Sequence, residues 1–187
     1  MYGLGDLYNK IGVDRPIVLV GMMGAGKTTI GLRLSRKLNL PFLDTDEMVS
    51  KMVGCSLGEI FKYQSEEYFR QKEYEAIKNA LNSGISIIAT GGGAFVHENV
   101  REIVLSKGIS VWLRAPLEVL LERVSRKNTR PLLEQGDKEE ILKKLMSDRY
   151  PTYNHAHIIV DSDRMTHHHV VNTIITKIQQ HCQQNNI

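Results

Sequence analysis

The feature that most constrains the fold is a glycine-rich segment, GMMGAGKT, over residues 21–28. It follows a short β-branched and apolar run at residues 17–20. It precedes a stretch with apolar residues at helical spacing, namely Ile30, Leu34 and Leu38. This order predicts a strand, a tight turn and a helix. The chain is therefore restricted to folds in which a strand leads directly into a helix through glycines.

The same segment matches GxxxxGK[ST], and its chemistry indicates a bound polyphosphate. Glycines let backbone N–H groups face an anion, and the helix adds the positive end of its dipole. Lys27 would reach the β- and γ-phosphates, and the Thr28 hydroxyl is a hard oxygen ligand of the kind Mg²⁺ prefers. The alternative is a glycine-rich turn with a surface lysine. The residues predicted to bind the nucleotide phosphates are Gly24, Ala25, Gly26, Lys27, Thr28 and Thr29.

Short apolar runs alternate with helical periodicity along the rest of the chain. Strands are predicted at 17–20, 42–43, 85–89, 109–113 and 158–160. Helices are predicted at about 28–38, 100–105, 117–124, 139–146 and 170–178. Strands that are almost wholly apolar are buried on both faces. The pattern therefore predicts a mainly parallel sheet between two helical layers, the three-layer α/β/α class.

Length and charge favour one domain without a macromolecular partner. The chain has 187 residues, enough for one domain with a sizeable core. Its 24 basic and 21 acidic residues are interleaved, giving a net charge of +3, so no nucleic-acid partner is expected. The sequence shows no membrane span and no signal peptide, and its two cysteines, Cys55 and Cys182, are expected to be reduced thiols. We expect a cytoplasmic monomer with no membrane partner.

Two stretches depart from the alternating pattern, and a short extension precedes the first strand. Residues 47–81 form a long helical insertion that predicts a subdomain. Residues 125–136 carry Arg126, Lys127, Arg130 and Pro131 and little apolar content, which indicates either a mobile loop or a plain surface connection. Residues 1–15 precede the first strand as a short extension.

Two aspartates, Asp44 and Asp46, follow the second predicted strand. The carboxyl ends of strands form the ligand crevice of open parallel sheets, so both would face the phosphates. One carboxylate could hold a water on Mg²⁺, and the other could accept the proton of an attacking hydroxyl. The alternative is that Asp46 caps a helix whose first turn includes Glu47, a contribution of about 1 kcal/mol.

Six motifs in order resemble those of the shikimate kinases, members of the nucleoside monophosphate kinase-like group of P-loop proteins. They are GMMGAGKTTIGLRLSRKL, LDTD, FRQKE, ATGGGA, RPLL and DRYPTY, and together they span nearly the whole chain. The resemblance implies a five-stranded parallel sheet, a substrate-binding subdomain after the second strand and a lid. It also implies transfer of the γ-phosphoryl group of ATP to the 3-hydroxyl of shikimate, with Mg²⁺ as cofactor, in the chorismate pathway to aromatic amino acids.

The resemblance also implies roles for single residues. It assigns catalysis to Lys27, Asp46 and Arg130, with Arg130 reaching the transferring phosphoryl group as the lid closes. It assigns the metal to Thr28 and Asp44, and nucleotide contacts to Arg123 and Arg130 in addition to residues 24–29. The residues implied to bind shikimate are Asp46, Arg70, Gly91, Gly92, Gly93 and Arg149.

Two of these assignments also have a physical basis in the residues. A guanidinium meets a carboxylate through two parallel hydrogen bonds, which suits Arg70, and Glu73 lies at i+3, where it could hold that guanidinium. The alternative for this pair is an exposed ion pair worth a few tenths of a kcal/mol. Residues 91–93 follow a buried strand and let backbone approach a ligand, although a flexible turn accounts for three glycines equally well.

Two features depart from the family pattern or stand outside it. The family often has RTxxDxxRP, whereas residues 123–131 read RVSRKNTRP, without the threonine and the acidic residue. This difference concerns the lid and the adenine contacts. Residues 167–169 are three consecutive histidines, which point in different directions on a helix and are therefore interpreted as a solvated helix start, not as a metal site.

The leading hypothesis is an ATP- and Mg²⁺-dependent shikimate kinase. Gluconate kinases and nucleotide kinases are the alternatives among enzymes. The presence of DTD, FRQKE and RPLL in one chain stands against them, and the sequence shows no base-reading groups of the kind a nucleotide kinase needs. A nucleotide-binding regulatory module without turnover is the alternative outside enzymes. Such a module would lack catalytic groups, yet Lys27, Asp44, Asp46, Arg70 and Arg130 are all present.

Overall fold

A computed structural model describes residues 11–125, 137–163 and 165–184. Five strands are found there: β1 (Ile17–Val20), β2 (Phe42–Asp44), β3 (Ile87–Ala89), β4 (Ile109–Arg114) and β5 (Ile158–Asp161). The helices are α1 (Lys27–Leu38), α2 (Thr45–Val53), α3 (Leu57–Tyr63), α4 (Glu66–Asn82), α5 (Glu98–Lys107), α6 (Leu117–Ser125), α7 (Lys138–Tyr153) and α8 (His167–Gln184), with a short 3₁₀ turn at Ala94–Val96.

The strands form one parallel sheet in the order β2-β3-β1-β4-β5. Helices α1 and α8 contact each other and lie against β3 and β5, while α4 packs on α5 and α5 on β4. Every residue of the central strand β1 is fully buried, as expected for a strand covered on both faces. The predicted three-layer α/β/α class with a five-stranded parallel sheet is confirmed.

The sheet order places the ligand crevice. From β1 the chain crosses to the edge strand β2, returns to β3 beside β1, and then crosses to β4 and β5 on the other side of β1. The strand order therefore reverses at β1, and in open parallel sheets the crevice opens at that point, at the carboxyl ends of the strands. Residues 21–28 leave β1 there, and residues 91–93 leave the neighbouring strand β3 shortly after its end.

The predicted insertion over 47–81 consists of α2, α3 and α4. Local signals set the helix starts: Ser56 and Glu59 form a reciprocal capping box at α3, and the Ser65 hydroxyl accepts from Tyr68 N–H at α4. A small apolar cluster of its own holds the three helices together. Its buried members are Val49, Ile60, Phe69 and Ala76.

Helix α7 is longer than the sequence predicts. It was expected at 139–146, yet it runs to Tyr153 with Pro151 inside its last turn. A proline removes one backbone donor and its ring crowds the carbonyl four residues earlier, and this helix ends two residues after Pro151. The extension matters because Arg149 and Tyr153, both of which face the crevice, lie within it.

A histidine joins β4 and β5 near their amino ends, away from the crevice. His157 precedes β5, and its Nδ1 accepts a hydrogen bond of 3.1 Å from the backbone N–H of Ser110. The Ser110 hydroxyl oxygen in turn accepts a hydrogen bond of 2.9 Å from the backbone N–H of His157. The His157 and His181 rings lie 5.3 Å apart between centroids. Burial lowers the pKa of both rings, which favours their neutral forms.

The outer strand β5 is contacted by a lysine at one backbone carbonyl. Lys177 of α8 donates from Nζ to the backbone carbonyl of Ile159 at 2.6 Å. Within the residues that the structure describes, no helix is long and apolar enough to cross a bilayer. Cys55 is half-buried and Cys182 is buried, and both are free thiols.

Candidate active site

The glycine-rich turn leaves the sheet at Gly21, where φ is 135°. A Cβ atom at this position would lie 2.7 Å from the carbonyl oxygen of Leu113, so only glycine fits. Lys27, the first residue of α1, is only 9% exposed. Its Nζ donates to the carbonyls of Gly21 at 2.7 Å and Met22 at 2.9 Å. The ammonium group is thus held over the turn by neutral carbonyl dipoles.

The other side of the turn is held by residues from distant parts of the chain. The Ser162 hydroxyl donates to the Ala25 carbonyl at 2.9 Å. Arg123 Nη1 lies 3.3 Å from the carbonyls of both Gly24 and Ala25, and Nη2 donates to the Asp163 carbonyl at 3.1 Å. Burial lowers the pKa of Arg123. The guanidinium predicted to contact adenine therefore also supports the phosphate turn, and its adenine contact stays a prediction.

Asp44 connects the glycine-rich turn to the start of α2. The Thr28 hydroxyl donates to Asp44 Oδ2 at 2.9 Å, and Asp44 Oδ1 accepts from Asp46 N–H at 3.0 Å. Asp44 is thus the N-cap of α2. The alternative that Asp46 caps the helix is wrong, because β2 continues through Asp44 and the helix begins at Thr45. Asp46 lies in the first turn instead, with its carboxylate directed elsewhere.

That carboxylate meets a second one beside Gly91. A Cβ atom on Gly91 would lie 2.9 Å from Asp46 Oδ1 and 2.6 Å from Glu73 Oε1. Glu73 is only 2% exposed, and its Oε2 accepts from Arg70 Nη1 at 2.8 Å. The alternative of an exposed ion pair is therefore wrong. Burial raises the pKa of Glu73, the hydrogen-bonded Arg70 opposes that rise, and the charge of Asp46 adds to it.

Two arginines converge on Gly93, two residues further along. A Cβ atom there would lie 3.5 Å from Arg70 Nη1 and 3.6 Å from Arg149 Nη1. Arg149 Nη1 donates to the Gly92 carbonyl at 2.9 Å, and the Tyr153 hydroxyl donates to the same carbonyl. Two guanidinium groups at one point form a site suited to a carboxylate, since each offers paired N–H donors.

An aromatic cluster supports α7 behind these arginines. The Trp112 ring makes an edge contact with Tyr150 at 4.9 Å between centroids and lies 5.7 Å from Tyr153, which stacks on Phe95 at 6.3 Å. Burial raises the pKa of Tyr150 and of Tyr153 to about 12 in each case. Both phenols therefore stay protonated donors at neutral pH. Sequence reasoning missed this cluster, although Tyr150 and Tyr153 lie within the DRYPTY motif.

His97 lies on the basic side of the crevice. It is half-buried at the start of α5, where its side chain makes no capping hydrogen bond. Burial lowers its pKa, and the charges of Arg70 and Arg149 lower it further. A neutral imidazole beside two arginines is the consequence, and no sequence signal pointed to it.

Some predicted residues cannot be placed. Arg126, Lys127, Arg130 and Pro131, with the lid prediction at 125–136 except Ser125, lie outside the described residues. So do residues 1–10 of the predicted extension. The three histidines at 167–169 are exposed in the first turn of α8.

The residue at the centre of the crevice, Gly92, touches the phosphate turn itself. A Cβ atom there would lie 2.9 Å from the backbone nitrogen of Met23. Gly91 on one side adjoins the two carboxylates, and Gly93 on the other adjoins the two arginines. The segment 91–93 therefore brings the glycine-rich turn, an acidic pair and a basic pair close to one another.

A family model and individual relatives both show similarity of this chain to shikimate kinases. The family model described as shikimate kinase matches residues 23–179. The shikimate kinase of Paramagnetospirillum magneticum is 47% identical over 150 residues, which are 80% of this chain and 77% of that protein. The shikimate kinase of Bartonella quintana is 40% identical over 167 residues, 89% of this chain and 80% of that protein.

Solved structures extend the comparison to the fold. The shikimate kinase from Acinetobacter baumannii in complex with shikimate has a TM-score of 0.84 and 32% identity, covering 96% of this chain and 98% of that one. A gluconokinase from Sinorhizobium meliloti has a TM-score of 0.64 at 15% identity, covering 92% and 96%, and shows a shared fold alone.

Proposed function

This chain belongs to the shikimate kinase family of ATP-dependent kinases, and we propose that its crevice transfers the γ-phosphoryl group of ATP to the 3-hydroxyl of shikimate. The products are shikimate 3-phosphate and ADP. The observation that carries the proposal is the segment 91–93, which adjoins the phosphate turn, Asp46 with Glu73, and Arg70 with Arg149. A phosphate donor, a hydroxyl and a carboxylate each find a matching group within one small space.

ATP binds with its phosphates in the turn at 21–28. Backbone N–H groups and the amino end of α1 attract the phosphates. Lys27 exchanges two neutral carbonyl partners for anionic phosphate oxygens, which are the stronger acceptors. Arg130, which lies outside the described residues, is proposed to stabilise charge on the transferring group.

The residues present fit a Mg²⁺ ion. Thr28 and Asp44 place a hydroxyl and a carboxylate oxygen 2.9 Å apart beside the phosphate turn, and hard oxygen ligands are those that Mg²⁺ prefers. When bound, the ion would neutralise part of the phosphate charge. Thr28 would hold it directly, and Asp44 would hold it either directly or through a water.

Shikimate binds with its carboxylate on Arg70 and Arg149 and its ring hydroxyls toward Asp46. Asp46 accepts the proton of the 3-hydroxyl as that oxygen forms a bond to the γ-phosphorus. The bond between the γ-phosphorus and the bridging oxygen of ADP breaks at the same time, and its electron pair leaves with ADP. Glu73 holds the guanidinium of Arg70 in place before the substrate arrives.

Three further properties belong to the proposal. We place the protein in the cytoplasm, which suits its two free thiols. We propose that it works as a monomer, since all the groups assigned here, except Arg130, come together within one chain. Its partners are small molecules, without nucleic acid or membrane.

A coupled assay of ADP release tests the function. With ATP and Mg²⁺, shikimate is expected to support turnover, whereas gluconate and a nucleoside monophosphate are not. Turnover with gluconate or the nucleotide alone would contradict the proposal. ATP binding without shikimate-dependent ADP release would instead indicate a regulatory nucleotide-binding module.

A further inference from the structure

The outer side of the phosphate turn is held by Ser162, the residue that follows β5. Its hydroxyl donates to the Ala25 carbonyl at 2.9 Å, across 137 positions of sequence, and the residue is 2% exposed. Its own backbone N–H donates to the Arg114 carbonyl at 2.6 Å, which continues the pairing of β5 with β4. Ser162 therefore links the turn to the rigid sheet.

Arg123 completes this contact. Its Nη1 lies 3.4 Å from the Ser162 hydroxyl oxygen and 3.3 Å from the Ala25 carbonyl oxygen. The hydroxyl can thus accept from the guanidinium while it donates to the carbonyl. An alanine at position 162 would remove the hydrogen bond of 2.9 Å from the hydroxyl to the Ala25 carbonyl. The longer contact of 3.3 Å from Arg123 Nη1 would remain.

The chemistry of a peptide group explains why an outward carbonyl matters. The C=O and N–H of one peptide unit point in opposite directions, so a turn that directs N–H groups toward phosphates directs carbonyls away from them. A buried carbonyl needs a donor, and the turn supplies none for Ala25 on that side. A donor fixed in the sheet holds the peptide in the orientation that phosphate binding requires.

We propose that Ser162 is a positioning residue for ATP: its hydroxyl keeps the phosphate turn in the binding orientation through Ala25. This inference rests on the proposed function, in which the turn binds the phosphates of ATP. It assigns to the loop after β5 a part in nucleotide affinity that does not require contact with the nucleotide.

The test compares Ser162→Ala with a matched control, Ser35→Ala. The Ser35 hydroxyl also donates to a backbone carbonyl, that of Leu40 at 2.6 Å, but near the far end of α1, and the residue is 9% exposed. Ser162→Ala is expected to raise the KM for ATP and the Kd for ADP about 3- to 10-fold, the scale of one hydrogen bond. The KM for shikimate should change less than about 2-fold.

Two more variants at position 162 distinguish the effect of the hydroxyl on the turn from a loss of folding. Ser162→Thr keeps the hydroxyl and should restore ATP affinity to near the wild-type value, while Ser162→Cys keeps the size with a weaker donor and should give an intermediate KM. Ser35→Ala should lower the melting temperature without moving the KM for ATP. If Ser162→Ala does not fold, the Thr and Cys variants still order the effect by donor strength.

The outcomes distinguish this inference from the function beneath it. Wild-type protein that fails to bind ATP would overturn both. Wild-type protein that binds ATP, with Ser162→Ala or Ser162→Cys showing an unchanged KM for ATP, would overturn the role of Ser162 alone. Equal increases in the KM for ATP and for shikimate would also overturn it, because they would indicate a general loss of structure.

Discussion

The two ends of the crevice hold their cations in different ways. At the phosphate end, where we propose that ATP binds, Lys27 donates to the carbonyls five and six residues earlier in the same turn. At the carboxylate end, where we propose that the substrate carboxylate binds, Arg70 pairs with the buried carboxylate of Glu73 in α4 and meets Arg149 of α7 at Gly93. A move of the lysine to a phosphate gives up two hydrogen bonds to carbonyls, whereas a move of the arginine would leave the buried Glu73 carboxylate without its guanidinium. The phosphate end is thus arranged to exchange partners, and the carboxylate end is arranged in advance.

The strongest test of this division is Asp46→Asn, which acts between the two ends. The amide keeps the size of the side chain but cannot take up the hydroxyl proton, so kcat should fall about 100-fold or more. The KM for ATP should stay within about 2-fold of wild type, since Lys27 and the turn are untouched. Steady-state kinetics measure both.

Glu47→Gln is the matched control for that variant. It changes the neighbouring residue in the same helical turn, where the side chain is exposed, and kcat should stay at the wild-type value. Near-normal turnover of Asp46→Asn would show that Asp46 is not the proton acceptor.

Arg70→Ala tests the carboxylate end alone. Loss of charge-assisted hydrogen bonds should raise the KM for shikimate about 10- to 100-fold and leave the KM for ATP nearly constant. Lys72→Ala, which removes a half-exposed ion pair with Glu75 on the same helix, should change neither constant. Equal effects of Arg70→Ala on both substrates would contradict the division into two ends.

Two variants of Glu73 distinguish its role in orienting Arg70 from the effect of its negative charge. Glu73→Ala removes the buried partner of Arg70, leaves its ion pair with the exposed Glu66, and should raise the KM for shikimate about 10-fold. Glu73→Gln keeps an acceptor for Arg70 Nη1 and should raise it only about 2- to 3-fold. A lower KM for shikimate in both variants would mean that the negative charge of Glu73 merely competes with the substrate carboxylate.

The smallest effect concerns the whole fold and not either end. The pKa values of His97, His157 and His181 are all lowered in the folded protein, so the unfolded chain binds more protons below its own histidine pKa of about 6.5. The free energy of unfolding should therefore fall as the pH decreases through that value. Urea unfolding at pH 7 and pH 5 measures the difference.

His157→Asn tests the contribution of one of these three histidines. An asparagine oxygen can accept from the Ser110 N–H in place of Nδ1 and does not titrate, so the fall between pH 7 and pH 5 should become smaller. An equally steep fall in this variant would exclude His157 as a source of acid sensitivity.

Much of the fold could be predicted because its signals are local. The strand at 17–20, the turn and α1 follow from adjacent residues, and the buried strands follow from short apolar runs. The alternative that placed an N-cap at Asp46 was two residues too late, because Asp44 and Asp46 both suit a cap and the end of β2 decides between them.

The carboxylate end could be predicted only through resemblance to a family. Residues 70, 93 and 149 lie on separate elements, and nothing in their spacing shows that they meet. The contact of Ser162 with Ala25 and that of Tyr153 with Gly92 were missed for the same reason, since serine and tyrosine carry no signal for long-range partners. The burial of Glu73 also depends on packing that a helical i+3 spacing does not reveal.

The contact of Lys177 with the Ile159 carbonyl has a consequence for contacts between molecules. An unpaired outer strand is a template on which a second chain can add a strand and start an aggregate. A strand approaching β5 at this point would have to displace an ammonium group that already donates to that carbonyl at 2.6 Å. The lysine thus disfavours the addition of a strand from a second chain at this carbonyl. Neutralisation of Lys177 by acetylation would weaken this effect without changing the residues of the crevice.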